Sequence, residues 1–255
     1  MSISPRQIIV SGLSVTYYCN EPPAAAATAV FLHGWQGSAL SWQPILEVFD
    51  SRSVKFYALD LPGFGRSQLP QRPFSVGDYA EVVKSFMAKL EIQSAAIIGH
   101  SFGGRIAIKL ASAYPELISK LVLVDCAGFK DTSLKKYSVL AIMKLFKPIL
   151  FLPGLSGLRR FGYKIIGASD YTSSGKLKET FIKVINEDVT AYLPKIKTPT
   201  LLVWGQLDRE TPLEFGNRMK DLIPASRLVV LPSTGHFSFL DDSPGFIKAL
   251  EGFVL

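Results

Sequence analysis

The sequence predicts an α/β protein: a mostly parallel, eight-stranded twisted sheet with helices on both faces, carrying an inserted helical cap. Three observations predict it. Short apolar runs such as Ala29–Leu32, Ala95–Ile98 and Leu121–Val124 alternate with stretches of helical spacing. Runs that are apolar at every position suit strands buried on both faces, as in parallel sheets covered by helices. Between Phe129 and Lys197 this alternation breaks, and it resumes at Thr200.

In chain order, Gln7–Val10 and Leu13–Tyr18 flank Ser11-Gly12, which predicts an opening hairpin. Pro22-Pro23 and the alanine run form a linker-like loop before strand Ala29–Leu32, which ends at His33-Gly34. Ser41 to Val48 has helical spacing, and Val54–Leu59 is the next strand. Val76–Leu90 places Tyr79, Val82, Val83, Phe86 and Leu90 on one helical face. Strand 95–98 runs into helix 102–113, which stops near Tyr114-Pro115, and Leu121–Val124 follows. Beyond the break come strand Thr200–Trp204, helix Leu213–Leu222, strand Leu228–Leu231 and helix Pro244–Phe253. Residues 1–128 and 198–255 thus form the core domain. The segment 129–197 reads as short helices separated at Pro148, Pro153-Gly154, Gly157, Gly162 and Gly167.

At 255 residues with 48% hydrophobic content, the chain can bury a large core, and disorder is excluded. Its net charge of +7 is concentrated. Residues 129–197 hold thirteen Lys/Arg against five Asp/Glu, and the rest holds fifteen against sixteen. The basic stretch has no recognised nucleic-acid motif, so no nucleic-acid partner is expected. Cys19 and Cys126 fit no metal or redox spacing and read as two buried thiols. Met1–Val10 shows no basic-then-apolar leader, and no apolar run reaches the ~20 residues of a membrane span. These features predict a cytoplasmic protein.

Chemistry concentrates at Gly99-His-Ser-Phe-Gly-Gly104, a serine caught between a buried strand and a helix with glycines two before and two after it. That spacing builds a nucleophile elbow, a turn so tight that a Cβ at Gly99 or Gly103 collides with backbone. A serine hydroxyl needs a base beside it. Of the three histidines, His100 lies inside the elbow and points away from the hydroxyl, and His33 ends the first parallel strand. His236, in the loop after the last strand, reaches the same sheet edge as Ser101 and is the expected base. Asp208, in the loop after Thr200–Trp204, is the expected orienting carboxylate. Asp125 is its competitor and otherwise ties a loop, while Asp241 and Asp242 are expected to be solvated. The oxyanion is expected to meet the backbone N–H of Phe102 at the helix start and that of Trp35 in the loop after the first parallel strand.

With His33-Gly34, Asp60-Leu-Pro-Gly-Phe-Gly-Arg-Ser67, the elbow, Trp204-Gly-Gln-Leu-Asp208 and Gly235-His236 in this order, the chain resembles α/β-hydrolases of the cap-bearing group. That group includes esterases, C–C bond hydrolases, haloalkane dehalogenases and epoxide hydrolases. The resemblance implies a cap between the sixth and seventh strands and a loop-structural role for Asp60 and Arg66. Dehalogenases and epoxide hydrolases carry aspartate at the elbow, so Ser101 disfavours both. Serine suits acyl transfer, which implies hydrolysis of a small-to-medium carboxylic ester through an acyl-enzyme. The alternatives are a C–C hydrolase of the meta-cleavage-product type and a non-catalytic receptor on the same fold. Arg105, Arg159, Arg160 and Lys164 are candidates for a substrate carboxylate, although Arg105 is expected on an exposed helix side.

Trp35, Phe102, Phe129 and Phe237 are the candidate substrate-lining side chains, with Leu140, Met143, Phe146, Phe151 and Phe161 as further cap candidates. The apolar, lysine-interrupted stretch 137–147 reads as a cap helix over the site. Contact with a membrane surface and steering of anions are its lesser readings. No metal or organic cofactor is expected, and the partner is a small-molecule substrate. A monomer and a homodimer are equally compatible with the sequence.

Overall fold

A computed structural model describes residues 4–22, 27–52, 54–129 and 174–255. The helical reading of 130–173, and with it Leu140, Met143, Phe146, Phe151, Phe161, Arg159, Arg160, Lys164 and stretch 137–147, lies outside the described residues.

The opening hairpin forms from β1 (Arg6–Val10) and β2 (Leu13–Cys19). Strand β3 (Thr28–Leu32) leads through a short 3-10 turn into α1 (Gln43–Ser51). Next come β4 (Lys55–Leu59) and α2 (Val76–Lys89). The start of α2 is fixed by a reciprocal cap: Asp78 N–H donates to Ser75 Oγ (3.2 Å) and Ser75 N–H donates to Asp78 Oδ2 (2.7 Å). Strand β5 (Ala95–His100) runs into α3 (Phe102–Ala113), and β6 (Ile118–Val124) follows. After the undescribed stretch come α4 (Lys178–Asn186), β7 (Thr200–Gly205), α5 (Leu213–Leu222) and β8 (Ser226–Leu231). The chain closes with α6 (Ser238–Asp241) and α7 (Ser243–Leu250). The expected single helix 244–253 is therefore corrected to α7, which stops at Leu250 and is preceded by the short α6. Asp242 separates the two and caps the second, accepting from Gly245 N–H at 2.9 Å.

The eight strands lie in the order β1-β2-β4-β3-β5-β6-β7-β8. Only β1–β2 and β2–β4 pair antiparallel. The order reverses between β3 and β5, and loops leaving two such strands part there to open a crevice. The apolar runs divide by their two-residue period. Val30, Leu32, Ile97, Leu121, Leu123 and Leu202 face one core with α2 and α3. Ala29, Phe31, Ala96, Ile98, Val122, Val124 and Leu201 face the other with α1 and α7. Each large side chain so buried contributes about 1.5–3 kcal/mol. Edge strand β8 is only partly covered.

Leu177, Val184, Val189, Leu193 and Ile196 join the core under α2 and α3. Val189 N–H donates to the Gly128 carbonyl at 3.1 Å, which joins residue 189 to the chain just before residue 129. Cys126 is buried, whereas Cys19, expected to be buried, is half-buried at the end of β2. Among the described residues no helix is long and apolar enough to cross a membrane.

Candidate active site

Ser101 sits between β5 and α3 with φ 48° and ψ −107°, a conformation that strains a non-glycine residue. The strain is held in place from several sides. Ser101 N–H donates to the Val124 carbonyl (3.0 Å), and the Ser101 carbonyl accepts from Gly104 (3.1 Å) and Ala127 (3.3 Å). A Cβ on Gly99 would stand 2.5 Å from the Gly103 carbonyl oxygen, and one on Gly103 would stand 2.2 Å from that of Leu32. Both glycines are therefore required sterically, as the spacing predicts.

Asp208 and His236 come together from the loops after β7 and β8. His236 Nδ1 lies 2.9 Å from Asp208 Oδ2. The carboxylate is itself fixed: Oδ1 accepts from the backbone N–H of Glu210 (2.8 Å) and of Thr211 (3.0 Å), and Oδ2 accepts from Thr211 Oγ1 (2.7 Å). Burial alone would raise the Asp208 pKa, but the His236 and Thr211 contacts outweigh it and hold the group below its ordinary value. Burial likewise penalises the His236 imidazolium. The hydrogen bond and charge of Asp208, with the charges of Glu210 and Asp125, overcome that and raise its pKa.

The competing carboxylate, Asp125, is turned to another use. Its Oδ1 accepts from Gly205 N–H (2.8 Å), and its Oδ2 accepts from Ser238 N–H (3.1 Å) and Oγ (2.6 Å). It thus ties the end of β7 to the residue two beyond His236. Burial pushes its carboxyl up to about 7, against the pull of these three donors. Asp241, expected to be solvated, accepts from Gly235 N–H at 2.8 Å and so braces the His236 loop from the other side.

The remaining histidines are structural and held neutral by burial. His33 Nε2 accepts from Leu61 N–H (3.0 Å), which leaves Nδ1–H to donate to the Gly34 carbonyl (2.8 Å). His100 Nε2 donates to the His236 carbonyl (2.7 Å), and burial lowers its pKa to about 3. Asp60 accepts from Ala39 N–H (2.7 Å) and Arg66 N–H (2.9 Å), organising the loops beside Trp35.

A cleft of about 370 Å³ opens above these groups. Its wall includes Gly34, Trp35, Trp42, Ser101, Glu210, His236 and Phe237. Of the four side chains expected to line it, Trp35 and Phe237 do. Phe102 instead packs its ring edge-on against Trp35 (5.2 Å) and Tyr79 (5.0 Å) beneath the loop. Phe129 is buried against Phe215 (5.1 Å) under the Arg218 guanidinium (4.0 Å). Both rings are drawn off the wall by neighbouring aromatic and apolar surface. Arg105 is a further correction: rather than facing solvent, it is buried and donates to the Glu187 carbonyl. Glu210 and Thr211 were not foreseen. The signal available for Thr211 was the spacing of Asp208-Arg-Glu-Thr211, since an aspartate commonly accepts from backbone two and three residues on.

A family model for the alpha/beta hydrolase fold matches residues 30–153, and one described as TAP-like protein matches residues 183–255. The chain has the α/β-hydrolase fold. Among its relatives is the uncharacterized hydrolase YugF of Bacillus subtilis, 29% identical, with 92% of each chain covered. A 2-hydroxy-6-oxononadienedioate/2-hydroxy-6-oxononatrienedioate hydrolase of Cupriavidus pinatubonensis is 26% identical, covering 93% of this α/β-hydrolase and 90% of the relative. The crystal structure of a membrane phospholipase A described as a bacterial virulence factor is 26% identical with a TM-score of 0.75, covering 98% of this chain and 86% of that one. The proteins this chain is similar to thus include a phospholipase A and a dienedioate hydrolase.

Proposed function

We propose that this α/β-hydrolase is a serine hydrolase of small-to-medium carboxylic esters, working through an acyl-enzyme on Ser101. The observation that carries the reading is the 2.9 Å contact of Asp208 with His236 Nδ1, on the wall of the cleft that also holds the strained Ser101. Asp208 fixes the tautomer, so Nδ1 carries the proton and Nε2 is the basic nitrogen. Nε2 takes the Ser101 proton as Oγ attacks the ester carbonyl, then gives it to the leaving alkoxide. Water attacks the acyl-enzyme by the same route in reverse roles. The N–H of Phe102, at the first position of α3, has no partner within the helix. With the N–H of Trp35 it would hold the oxyanion.

The C–C bond reading is favoured by the Cupriavidus relative. Of its four candidates for binding a substrate carboxylate, Arg105 is engaged by the Glu187 carbonyl inside the core, and Arg159, Arg160 and Lys164 lie outside the described residues.

Labelling with a fluorophosphonate, blocked in Ser101→Ala, and turnover of p-nitrophenyl esters are the expected results. Preferential hydrolysis of a ring-cleavage dienoate over all esters would overturn the ester assignment. Absence of labelling together with absence of turnover would favour a receptor.

A further inference from the structure

Glu210 follows Asp208 by two residues, and its N–H donates to the Asp208 carboxylate. Its side chain places Oε2 3.4 Å from His236 Nε2, with 67% of its surface exposed. Because Asp208 occupies Nδ1, Nε2 is the nitrogen left for chemistry, and Glu210 stands beside it. A leaving group protonated by Nε2 would be protonated beside this carboxylate.

The rest of the described wall does not balance that charge. Among its described residues there is no lysine or arginine, and His33 and His100 are buried and neutral. The wall does supply Trp35 and the exposed Phe237, and aromatic ring faces attract cations. A carboxylate within about 4–6 Å of a substrate charge is worth about tenfold between cation and anion in a partly solvated cleft, less at high salt.

We propose that Glu210 is a specificity-determining residue that favours esters bearing positive charge near the scissile bond and rejects anionic ones. The proposal rests on the ester-hydrolase reading above and names its substrate class.

The test uses three butyrate esters of matched shape: a choline ester, its neutral 3,3-dimethylbutyl isostere and a sulfonate-bearing counterpart. Their kcat/KM values are compared for wild type, Glu210→Gln and Glu210→Lys. In wild type the cationic ester exceeds the anionic one by about tenfold. That ratio collapses in Glu210→Gln, inverts in Glu210→Lys, and shrinks with added salt in wild type. A ratio that stays the same in all three proteins, while the neutral ester is turned over, overturns the proposal and leaves the ester reading intact. If wild type turns over none of the three, charge preference is read by calorimetry instead, and the ester reading is judged separately by p-nitrophenyl ester turnover and fluorophosphonate labelling. Butyltrimethylammonium binding wild type more tightly than butanesulfonate, with the order inverted in Glu210→Lys, supports the role of Glu210. Equal affinities, or a preference for the sulfonate in wild type, refute it.

Discussion

His100 Nε2 donates to the backbone carbonyl of His236 at 2.7 Å. The residue beside the elbow serine therefore carries the loop of the distant imidazole, which lies 136 positions away in sequence. Their rings also approach to 4.9 Å between centroids. His100→Ala removes a buried donor and leaves the carbonyl unpaired, a loss of about 1–3 kcal/mol. Steady-state kinetics with a p-nitrophenyl ester should show kcat/KM reduced about tenfold or more. Unchanged kinetics would mean that Asp125 and Asp241 hold the loop without it.

The strain at Ser101 predicts opposite outcomes for two substitutions. Both Ser101→Ala and Ser101→Gly should reduce turnover by many thousand-fold, because the nucleophile is gone. Only Ser101→Gly should raise Tm, by the equivalent of about 1 kcal/mol, because glycine accepts φ 48° and ψ −107° without strain. Thermal melts of the two variants check this directly.

His236 must be neutral to accept a proton, so the acidic limb of kcat/KM against pH reports its pKa in the free enzyme. Burial lowers that pKa, but Asp208, Glu210 and Asp125 together raise it above the ordinary 6.5, and the adjacent His100 is uncharged. The limb should therefore lie above 6.5. Glu210→Gln removes one negative charge, makes the imidazolium less favourable and moves the limb to lower pH. A limb that rises or stays put in that variant contradicts the assignment.

The cap of α2 makes a prediction about stability. Burial works against the Asp78 carboxylate, yet Arg72 and Ser75 hold its pKa down to about 2 from an ordinary 3.8. A carboxylate lowered on folding stabilises the protein above its unfolded pKa. That contribution is lost as pH falls from 3.8 through about 2. Ser75→Ala should cost about 1 kcal/mol at neutral pH in urea unfolding.

Gly103→Ala should be far more damaging than an ordinary helix substitution. Its methyl group would stand 2.2 Å from the Leu32 carbonyl oxygen, which belongs to a central strand and has no room to retreat. Loss of soluble protein, or destabilisation by about 3 kcal/mol or more, is expected from denaturant melts.

Much of this layout is legible in the sequence because it is local. The run Ala95–Ile98 followed by Gly-His-Ser-Phe-Gly-Gly fixes strand, turn and helix together, and α3 and α5 begin and end where their periodicity does. Asp208 and His236 are legible for a different reason. Both follow strands of one parallel sheet, so topology brings them to one rim. What escapes is whatever depends on partners far along the chain. Arg105 reads as a surface charge until the Glu187 carbonyl, 82 residues later, arrives to accept from it. Phe102 and Phe129 read as lining residues because composition does not reveal the aromatic neighbours that hold them. Glu210 escapes because the imidazole it approaches belongs to the loop beyond the next strand.

The bond between Val189 and Gly128 clasps two stretches of backbone that are distant in sequence. Arg105 and Lys109, from the helix that begins beside Ser101, grip Glu187 just before Val189 in the chain. Leu177 and Val184, which precede this bond in the chain, pack into the core and so belong to the same frame. A graft that keeps Gly128, Leu177, Val184, Glu187 and Val189 would therefore keep every one of these fastenings.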